Sequence, residues 1–340
     1  MMNTQKLLSV KGLTKKFALP KAHPFARRKY LIANDDIYLD IYKGETFGLV
    51  GESGSGKSTL GRTLLQLEKP SSGEVWYYPS GGEDGVELVG LKNERMRLLR
   101  KNLQLIFQDP YSSLNPRMTV GQIIREGAAL HHCRSRDELD GFVKDILQSC
   151  GLQPYAMQRY PHQFSGGQRQ RVCIARALAL EPEFIVCDEC VSALDVSIQS
   201  QILNLLADLK AQKGLTYLFI SHDLSVVRHI CDRIAVMYRG KIVEIGNAAQ
   251  IFENPVHPYT LSLLAAAPSL TKRKKALLAA QTSAPEKDFH TEQGCPYAPR
   301  CFMAKEVCQR TPVPLQSVED EHFAACLFAE RNDKSKKKRR

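Results

Sequence analysis

The chain has 340 residues, which is long enough to bury a full hydrophobic core and to form two or three domains. Hydrophobic residues make up 43% of it, and no run reaches the ~18 consecutive apolar residues of a membrane span. The first residues lack the pattern of a secretion signal. The sequence therefore argues against a membrane-spanning chain, and we expect a soluble protein of the cytoplasm.

The net charge of +11 is concentrated near the C-terminus. Residues 331–340 carry a net charge of +6, and the run Lys272–Lys275 adds +4. Because the rest of the chain is nearly neutral, we expect no nucleic acid partner. The basic segment 331–340 is interpreted either as a solvated, disordered tail or as a region attracted to anionic lipid headgroups.

In chain order, residues 7–50 predict strands, and a glycine-rich stretch then leads into a helical pattern. Residues 109–182 are mostly helical in period and are interrupted by prolines. After them, strand patterns such as EFIVCDE and TYLFISHD alternate with helical ones such as SIQSQILNLLADLKAQKG. These patterns predict an α/β core with a helical insertion, followed by a Pro- and Cys-containing extension.

Residues Gly51–Ser58 read GESGSGKS and fit the pattern G-x-x-x-x-G-K-[ST], between an apolar run and a helix. The glycines let backbone N–H groups turn toward phosphate oxygens, Lys57 brings a positive charge to the β- and γ-phosphates, and Ser58 offers a hydroxyl to Mg²⁺. We therefore predict a nucleoside triphosphate site. Its residues are Gly51, Ser53, Gly54, Gly56, Lys57, Ser58 and Thr59.

A second apolar run, Phe184–Glu189, ends in two adjacent carboxylates. Ligands of open α/β sheets bind at the edge where the strands end. We expect Asp188 to hold the Mg²⁺ of the nucleotide and Glu189 to polarise an attacking water. A cation and a hydrolytic reaction together explain why two like charges stand at the end of a buried strand.

Residues Phe164–Leu178, FSGGQRQRVCIARAL, resemble the signature of ABC-type ATPases, whose usual form is LSGGQ. The resemblance implies that Ser165, Gly166, Gly167 and Gln168 face the ATP of an opposite subunit, so that two ATP molecules lie within a head-to-tail dimer. It also implies an α/β fold over residues 6–253: a P-loop NTPase (RecA-like) core with an antiparallel β subdomain. A helical subdomain carrying the signature is expected at about residues 109–182.

The other motifs of that family follow in order. Gln108 in LIFQDP resembles the Q-loop glutamine, Asp195 in SALD the D-loop residue, and His222 in FISHD the switch histidine that contacts the γ-phosphate. The resemblance implies that Gln108, Glu189 and His222 are catalytic. It implies that Ser58, Gln108 and Asp188 surround Mg²⁺, and that Asp195 joins the ATP site across the dimer.

One position in the cassette has an alternative, and another departs from the family pattern. Phe17 is the candidate aromatic for stacking on adenine, and Tyr30 is the alternative. Cys190 stands where the family generally has proline after the acidic pair.

The segments NPVHPYTLSLLAAAP, GCPYAPRC and HFAAC resemble the region that follows the cassette in oligopeptide and dipeptide importer ATPases. This implies an ATP-hydrolysing subunit that powers peptide uptake at the cytoplasmic face of the membrane; relatives also import nickel. The implied partners are two transmembrane permease subunits, a second ATPase subunit (a copy or a paralogue) and an extracytoplasmic peptide-binding protein.

The extension, residues 254–330, contains Cys295, Cys301, Cys308 and Cys326. Four thiolates suit zinc or an iron–sulfur cluster, and the paired C-x2–4-C spacing common in structural zinc sites is not present among them. Family members with this extension carry a [4Fe–4S] cluster, while zinc or no metal remain alternatives. We expect no phosphate-handling residue beyond His222, and loss of order in the extension should therefore affect hydrolysis much less than it affects the extension.

Two other classes of function were weighed. A soluble ABC ATPase acting on ribosomes or DNA is disfavoured by the single phosphate loop and by the lack of a sustained heptad pattern between Gln108 and Ser165. A redox-sensing regulator built on the four cysteines would require ATPase activity that changes with the oxidation state of the cluster.

Overall fold

The computed structural model describes residues 5–21, 23, 25, 27–79, 84–131, 135, 138–266 and 293–329. The basic segment 331–340 and the run Lys272–Lys275 lie outside these residues. Within them, no helix is both long and apolar enough to cross a membrane.

A four-stranded antiparallel sheet forms the N-terminal part, in the order β2-β1-β4-β5. Its strands are β1 (Lys6–Ala18), β2 (Tyr30–Tyr42), β4 (Ser72–Tyr77) and β5 (Val86–Glu87). Apolar side chains of β1 and β2, such as Leu13 and Ile41, are fully buried and pack on one face of the main sheet. The antiparallel β subdomain predicted from the sequence is therefore confirmed as part of the fold.

The main sheet has eight strands in the order β11-β12-β10-β9-β3-β8-β7-β6. They are β3 (Thr46–Val50), β6 (Leu103–Ile106), β7 (Phe184–Asp188), β8 (Thr216–Ile220), β9 (Arg233–Tyr238), β10 (Lys241–Asn247), β11 (Gln316–Glu319) and β12 (His322–Ala324). Strands β9, β3, β8, β7 and β6 pair in parallel. Because both faces of a parallel sheet are covered, these strands are continuous apolar runs rather than alternating ones.

Helices surround the main sheet. They are α1 (Lys57–Leu64), α2 (Asn93–Leu99), α3 (Pro110–Ser113), α4 (Val120–Leu130), α5 (Leu139–Ser149), α6 (Gly166–Leu178), α7 (Val196–Lys213), α8 (Leu224–Ile230), α9 (Ala248–Glu253), α10 (Pro258–Ala266) and α11 (Val307–Arg310). Helices α3 to α6 fall in the region 109–182. Thr119 begins α4 with a capping box, and Ser165 begins α6 in the same way.

The extension continues the main sheet. Strand β12 pairs with β10 in antiparallel fashion, and β11 pairs with β12. Between these strands, the buried carboxylate of Glu244 accepts hydrogen bonds from the main-chain N–H groups of Val256 and His257, at 2.9 Å each. It lies 2.7 Å from His322 Nε2. The extension and the main sheet therefore share one hydrophobic core, which includes Cys301.

Candidate active site

The predicted phosphate loop joins β3 to α1. At Gly56 the backbone has φ +103°, and a Cβ there would lie 2.1 Å from the carbonyl oxygen of Ala33. Both the positive φ and the close approach require glycine. Ser53 and Gly54 lie exposed on the outer turn of the loop, and Thr59 is half-buried on α1.

Lys57 is held against the loop. Its Nζ donates to the carbonyl oxygens of Gly51, at 2.8 Å, and Glu52, at 2.9 Å, and only 4% of the residue is exposed. Burial lowers the pKa of Lys57, and the nearby carboxylates of Glu189 and Asp188 oppose that shift. A buried ammonium held by main-chain oxygens beside a helix N-terminus suits a polyphosphate anion.

Ser58 and Asp188 meet beside this loop. Ser58 Oγ donates to Asp188 Oδ1 at 2.6 Å, and an Arg62 nitrogen lies 3.8 Å from the other carboxylate oxygen. Asp188 is 2% exposed, and burial raises its pKa while the Ser58 hydrogen bond and the Arg62 charge lower it. A hydroxyl and a carboxylate oxygen are hard ligands of the kind that Mg²⁺ takes, so the pair fits that ion.

The three predicted catalytic residues come together at the ends of three neighbouring strands. Gln108 follows β6, Glu189 follows β7, and His222 follows β8. Gln108 Nε2 donates to Glu189 Oε2 at 2.8 Å, and His222 Nδ1 lies 3.4 Å from the same oxygen. Glu189 has φ +47°, a conformation that is uncommon for a residue other than glycine. The carboxylate therefore stands directly after β7, at the edge of the sheet where ligands of open α/β folds bind.

The signature turn lies at the start of α6. Ser165 caps the helix: its Oγ accepts from the Gln168 N–H at 3.4 Å, and the Gln168 side chain accepts from the Ser165 N–H at 3.1 Å. A Cβ on Gly167 would lie 2.5 Å from Ile198 Cγ2 on α7, so glycine allows the two helices to approach. Gly166 lies beside Leu194, and the exposed Asp195 stands at the N-terminus of α7. The signature turn therefore packs on the D-loop segment.

The two candidate adenine-stacking residues lie at the same end of the β1–β2 pair. Phe17 is half-buried, pairs with Leu31 and lies under Lys15 Nζ, which is 4.6 Å from the ring centroid. Tyr30 is more than half exposed and pairs with Ala18. Since successive residues of a strand point to opposite faces, Phe17 and Tyr30 are expected to face opposite sides of the sheet.

One residue that supports the loop was missed by the sequence analysis. Asn34, on β2, is fully buried, and its Nδ2 donates to the Gly56 carbonyl oxygen at 3.1 Å. Its Oδ1 is buried without a hydrogen-bond partner among the described residues. Polar residues are expected at alternate positions of such a strand, so the sequence around Asn34 does not indicate this contact.

The extension also reaches the loop, which the sequence analysis did not anticipate. The N–H of Glu52 donates to the Tyr259 hydroxyl at 2.8 Å, and Arg300 donates to both carboxylate oxygens of Glu52 at 3.1 and 3.2 Å. Contacts to the phosphate loop therefore exist beyond His222, contrary to the reasoning that set the extension apart from the ATP site.

The four cysteines of the extension line one small cavity of about 20 Å³, together with His257. Burial raises the pKa of Cys295 to about 11, and the other three thiols add to that rise. Among the described residues, however, no three His, Cys, Asp or Glu side chains stand in an arrangement that could hold a metal ion. The side chains have the chemistry of a cluster site, but the structure does not support the predicted iron–sulfur cluster.

A glycine-rich loop with a buried lysine, set beside an acidic pair at a strand end, defines a P-loop nucleotide hydrolase. The model of the ABC transporter family matches residues 34–192, and that of the oligopeptide/dipeptide transporter C-terminal region matches residues 243–308. The chain belongs to the ABC transporter family and is the ATP-hydrolysing subunit of such a transporter.

Curated relatives match over most or nearly all of the chain. The oligopeptide transport ATP-binding protein AppF of Bacillus subtilis is 43% identical over 95% of this chain and 98% of its own length. OppF of the same organism is 52% identical over 78% of this chain and 83% of its own length. A putative peptide import ATP-binding protein of Brucella ovis is 44% identical over 96% of this chain and 99% of its own length.

Solved structures confirm the fold. The dimeric ATP-binding cassette MJ0796 bound to ADP and Pi superposes with a TM-score of 0.62 at 28% identity, covering 71% of this chain and 99% of that one. The cbiO1 protein of Clostridium perfringens superposes with a TM-score of 0.61 at 27% identity, covering 74% of this chain and 92% of that one.

Proposed function

We propose that this chain binds and hydrolyses ATP to power the import of di- or oligopeptides through a membrane permease. The convergence of Gln108, Glu189 and His222 beside the phosphate loop supports the hydrolytic role. The match of residues 243–308 to the oligopeptide/dipeptide transporter region, with the names of the relatives above, supports peptides as the cargo.

In this proposal, the loop from Gly51 to Thr59 receives the phosphates. Its N–H groups and the N-terminus of α1 donate to the phosphate oxygens, and the ammonium of Lys57 turns from the loop carbonyls to the β- and γ-phosphates. Ser58, Asp188 and Gln108 would hold Mg²⁺. The bound ion would neutralise part of the negative charge of the phosphates. Phe17 stacks on adenine, with Tyr30 as the alternative.

Glu189 acts on the attacking water. Its carboxylate accepts a hydrogen bond from the water while the water oxygen bonds to the γ-phosphorus and the bond between that phosphorus and the leaving ADP oxygen breaks. Gln108 and His222 both contact Glu189 Oε2, so they orient the carboxylate and the water that it holds. His222 also faces the γ-phosphate.

The site is completed by a second subunit in this proposal. The capped turn formed by Ser165, Gly166, Gly167 and Gln168 presents the N-terminus of α6 to the γ-phosphate of the opposite ATP, and Asp195 crosses the dimer interface. The dimeric solved cassette supports this arrangement. The partner is a copy of this chain or a paralogue.

The helical subdomain receives a coupling helix from a membrane permease in this proposal. The complex contains two transmembrane permease subunits, which places the chain peripherally on the cytoplasmic face of the membrane. An extracytoplasmic peptide-binding protein would complete the complex. No observation favours the alternative of a ribosome- or nucleic acid-directed ATPase, or of a nickel importer.

For the extension, Cys295, Cys301, Cys308 and Cys326 would hold a [4Fe–4S] cluster, with zinc as the alternative. What supports this proposal is the chemistry of four thiols that line one cavity, and not their arrangement in the described residues. The bound metal would stabilise the folded extension, since no step of hydrolysis involves these four cysteines.

The test is transport by the whole complex. The chain, its permease subunits and the second ATPase are reconstituted in liposomes with a peptide-binding protein, and uptake of labelled peptide is measured with ATP hydrolysis. Peptide should stimulate both, and Glu189→Gln should abolish both. Hydrolysis that responds to nickel or to RNA, but not to peptide, would contradict the proposal.

A further inference from the structure

The phosphate loop is held from outside the cassette motifs by two residues of the C-terminal extension, Tyr259 and Arg300. Both act on Glu52, the second residue of the loop. The two contacts differ in kind, because Tyr259 binds the main chain of Glu52 and Arg300 binds its side chain.

The Tyr259 hydroxyl is fixed in place. The residue is 1% exposed, and its ring lies 4.5 Å from the ring of Tyr238 and 5.3 Å from that of Tyr297. Its hydroxyl accepts the Glu52 N–H at 2.8 Å. One amide of the loop is therefore tied to a rigid aromatic cluster, and this sets the path along which the following amides turn toward phosphate.

Arg300 pairs with the negative charge of the Glu52 side chain. The Glu52 carboxylate stands in a loop that receives a highly negative ligand, and it is one of the carboxylates that act on Lys57. Arg300 donates to both of its oxygens, so the negative charge of the carboxylate is paired with a guanidinium. Both side chains of this pair are about 40% exposed, so we assign the pair an electrostatic effect on the ligand and little weight in stability.

Arg300 and Tyr297 lie between two cysteines of the four-cysteine cavity, Cys295 and Cys301. We propose that Tyr259 and Arg300 are positioning residues of the ATP site, so that the extension sets the affinity of the phosphate loop for ATP. The proposal rests on ATP binding at this loop. Ordering of the segment from Cys295 to Cys301 then affects ATP binding, because that segment holds Arg300 in contact with the loop.

The test compares ATP affinity with turnover in the full-length chain. Tyr259→Phe removes the hydroxyl that holds Glu52, and its matched control is Tyr217→Phe, which removes a buried hydroxyl that donates to the Leu206 carbonyl oxygen at 3.1 Å. We expect the dissociation constant for Mg-ATP to rise about 3- to 10-fold for Tyr259→Phe, the range for one lost hydrogen bond. The control should bind as wild type, and turnover at saturating ATP should fall less than twofold in both.

Arg300→Met should weaken ATP binding by a similar factor at low salt, and the loss should shrink as salt screens the exposed carboxylate. Adding Glu52→Gln to Arg300→Met should restore affinity, because the unpaired negative charge is then gone. Adding it to Tyr259→Phe should restore nothing, because that contact is made by the main chain. Lys6→Met, which breaks a surface ion pair with Asp40 on the antiparallel sheet, is the control for a lost salt bridge.

Wild-type ATP affinity in both Tyr259→Phe and Arg300→Met would overturn the proposal. So would a loss in Arg300→Met that Glu52→Gln does not rescue, because the effect would then be structural. Unchanged ATP affinity in Lys57→Ala would instead overturn the ATP site itself, which keeps the two failures apart.

Discussion

At the scale of single residues, the acidic turn shows how a departure from the family pattern is tolerated. Cys190 replaces the usual proline, and it is buried. The turn is held by other means: the Glu189 N–H donates to the Ile220 carbonyl at 3.0 Å, and Ser192 donates to the Glu189 carbonyl through its N–H at 3.1 Å and its hydroxyl at 2.9 Å. These bonds maintain the positive φ of Glu189 without the rigidity of a proline ring.

Glu189→Gln should keep ATP binding and lower hydrolysis by about 10²- to 10⁴-fold, because the substitution preserves shape and removes the group that polarises water. Phosphate release and ATP titration measure the two effects separately. Glu183→Gln, which changes a carboxylate at the opposite end of the same strand, is the control. Normal turnover in Glu189→Gln would assign this role to another group.

Lys57→Ala should weaken ATP binding about 10- to 100-fold, the loss expected for a charge-assisted contact to phosphate. Equilibrium titration with Mg-ATP measures it. Lys69→Ala, an exposed lysine after α1, should bind as wild type. Equal affinity in Lys57→Ala and in wild type would count against the phosphate-loop assignment.

At the scale of elements, the site is built where four parallel strands, β3, β6, β7 and β8, end and where short loops follow them. The sequence predicted the strand–loop–helix around Gly51, and the strand that ends at Asp188, because each is a contiguous pattern of apolar residues followed by a motif. It did not predict Asn34, Tyr259 or Arg300 as supports of the loop. Tyr259 and Arg300 lie 207 and 248 residues from Glu52 in the chain, and no local periodicity encodes such contacts.

Anaerobically purified protein should be brown, with absorbance near ~400 nm and about four irons per chain, if the four cysteines hold a cubane cluster. Cys301→Ser should remove the colour and make residues 295–326 sensitive to protease. Through Arg300, it should also weaken ATP binding, while turnover at saturating ATP falls much less.

Cys231→Ser, a buried cysteine of the cassette, is the matched control and should keep both iron and ATP affinity. Stoichiometric zinc without iron would replace the cluster by a zinc site. An ordered extension without either metal would leave the four cysteines as ordinary buried residues.

Glu244→Ala should detach the extension from the cassette. The substitution leaves the N–H groups of Val256 and His257 and the His322 ring without their shared acceptor, at a cost of about 3 kcal/mol or more. Limited proteolysis should then cut the extension, and the cassette should still bind ATP but more weakly, because Tyr259 and Arg300 no longer hold Glu52. Glu253→Ala, an exposed carboxylate at the end of α9, should leave the digestion pattern unchanged.

At the scale of the whole molecule, one chain carries both halves of an ATP site but places the signature turn against its own D-loop helix. Gly167 packs on Ile198, while Ser165 and Gln168 at the start of α6 are exposed, so a second subunit can reach them in the proposed dimer. The motifs were predictable from the sequence, but the attachment of the extension to the main sheet was not, because β11 and β12 are only four and three residues long.

Glu189→Gln should form a stable dimer in the presence of ATP, with itself or with the second ATPase, because the nucleotide that joins the subunits is not hydrolysed. Size-exclusion chromatography with and without ATP measures the change. Adding Ser165→Arg should abolish the dimer, since a large side chain then fills the turn that faces the partner's phosphate. A monomer under all conditions, with either partner, would contradict the two-subunit site.

The pairing of β12 with β10 also has a consequence for solubility. Without it, β10 would present a free row of main-chain donors and acceptors along the border of the sheet, which is a template for association with other chains. With it, the border becomes β11, a four-residue strand that ends at Glu319 and is followed by Asp320 and Glu321. Short length and negative charge both discourage edge-to-edge association. A chain shortened to residue 253 is therefore expected to aggregate on expression even though every ATP-binding motif is intact.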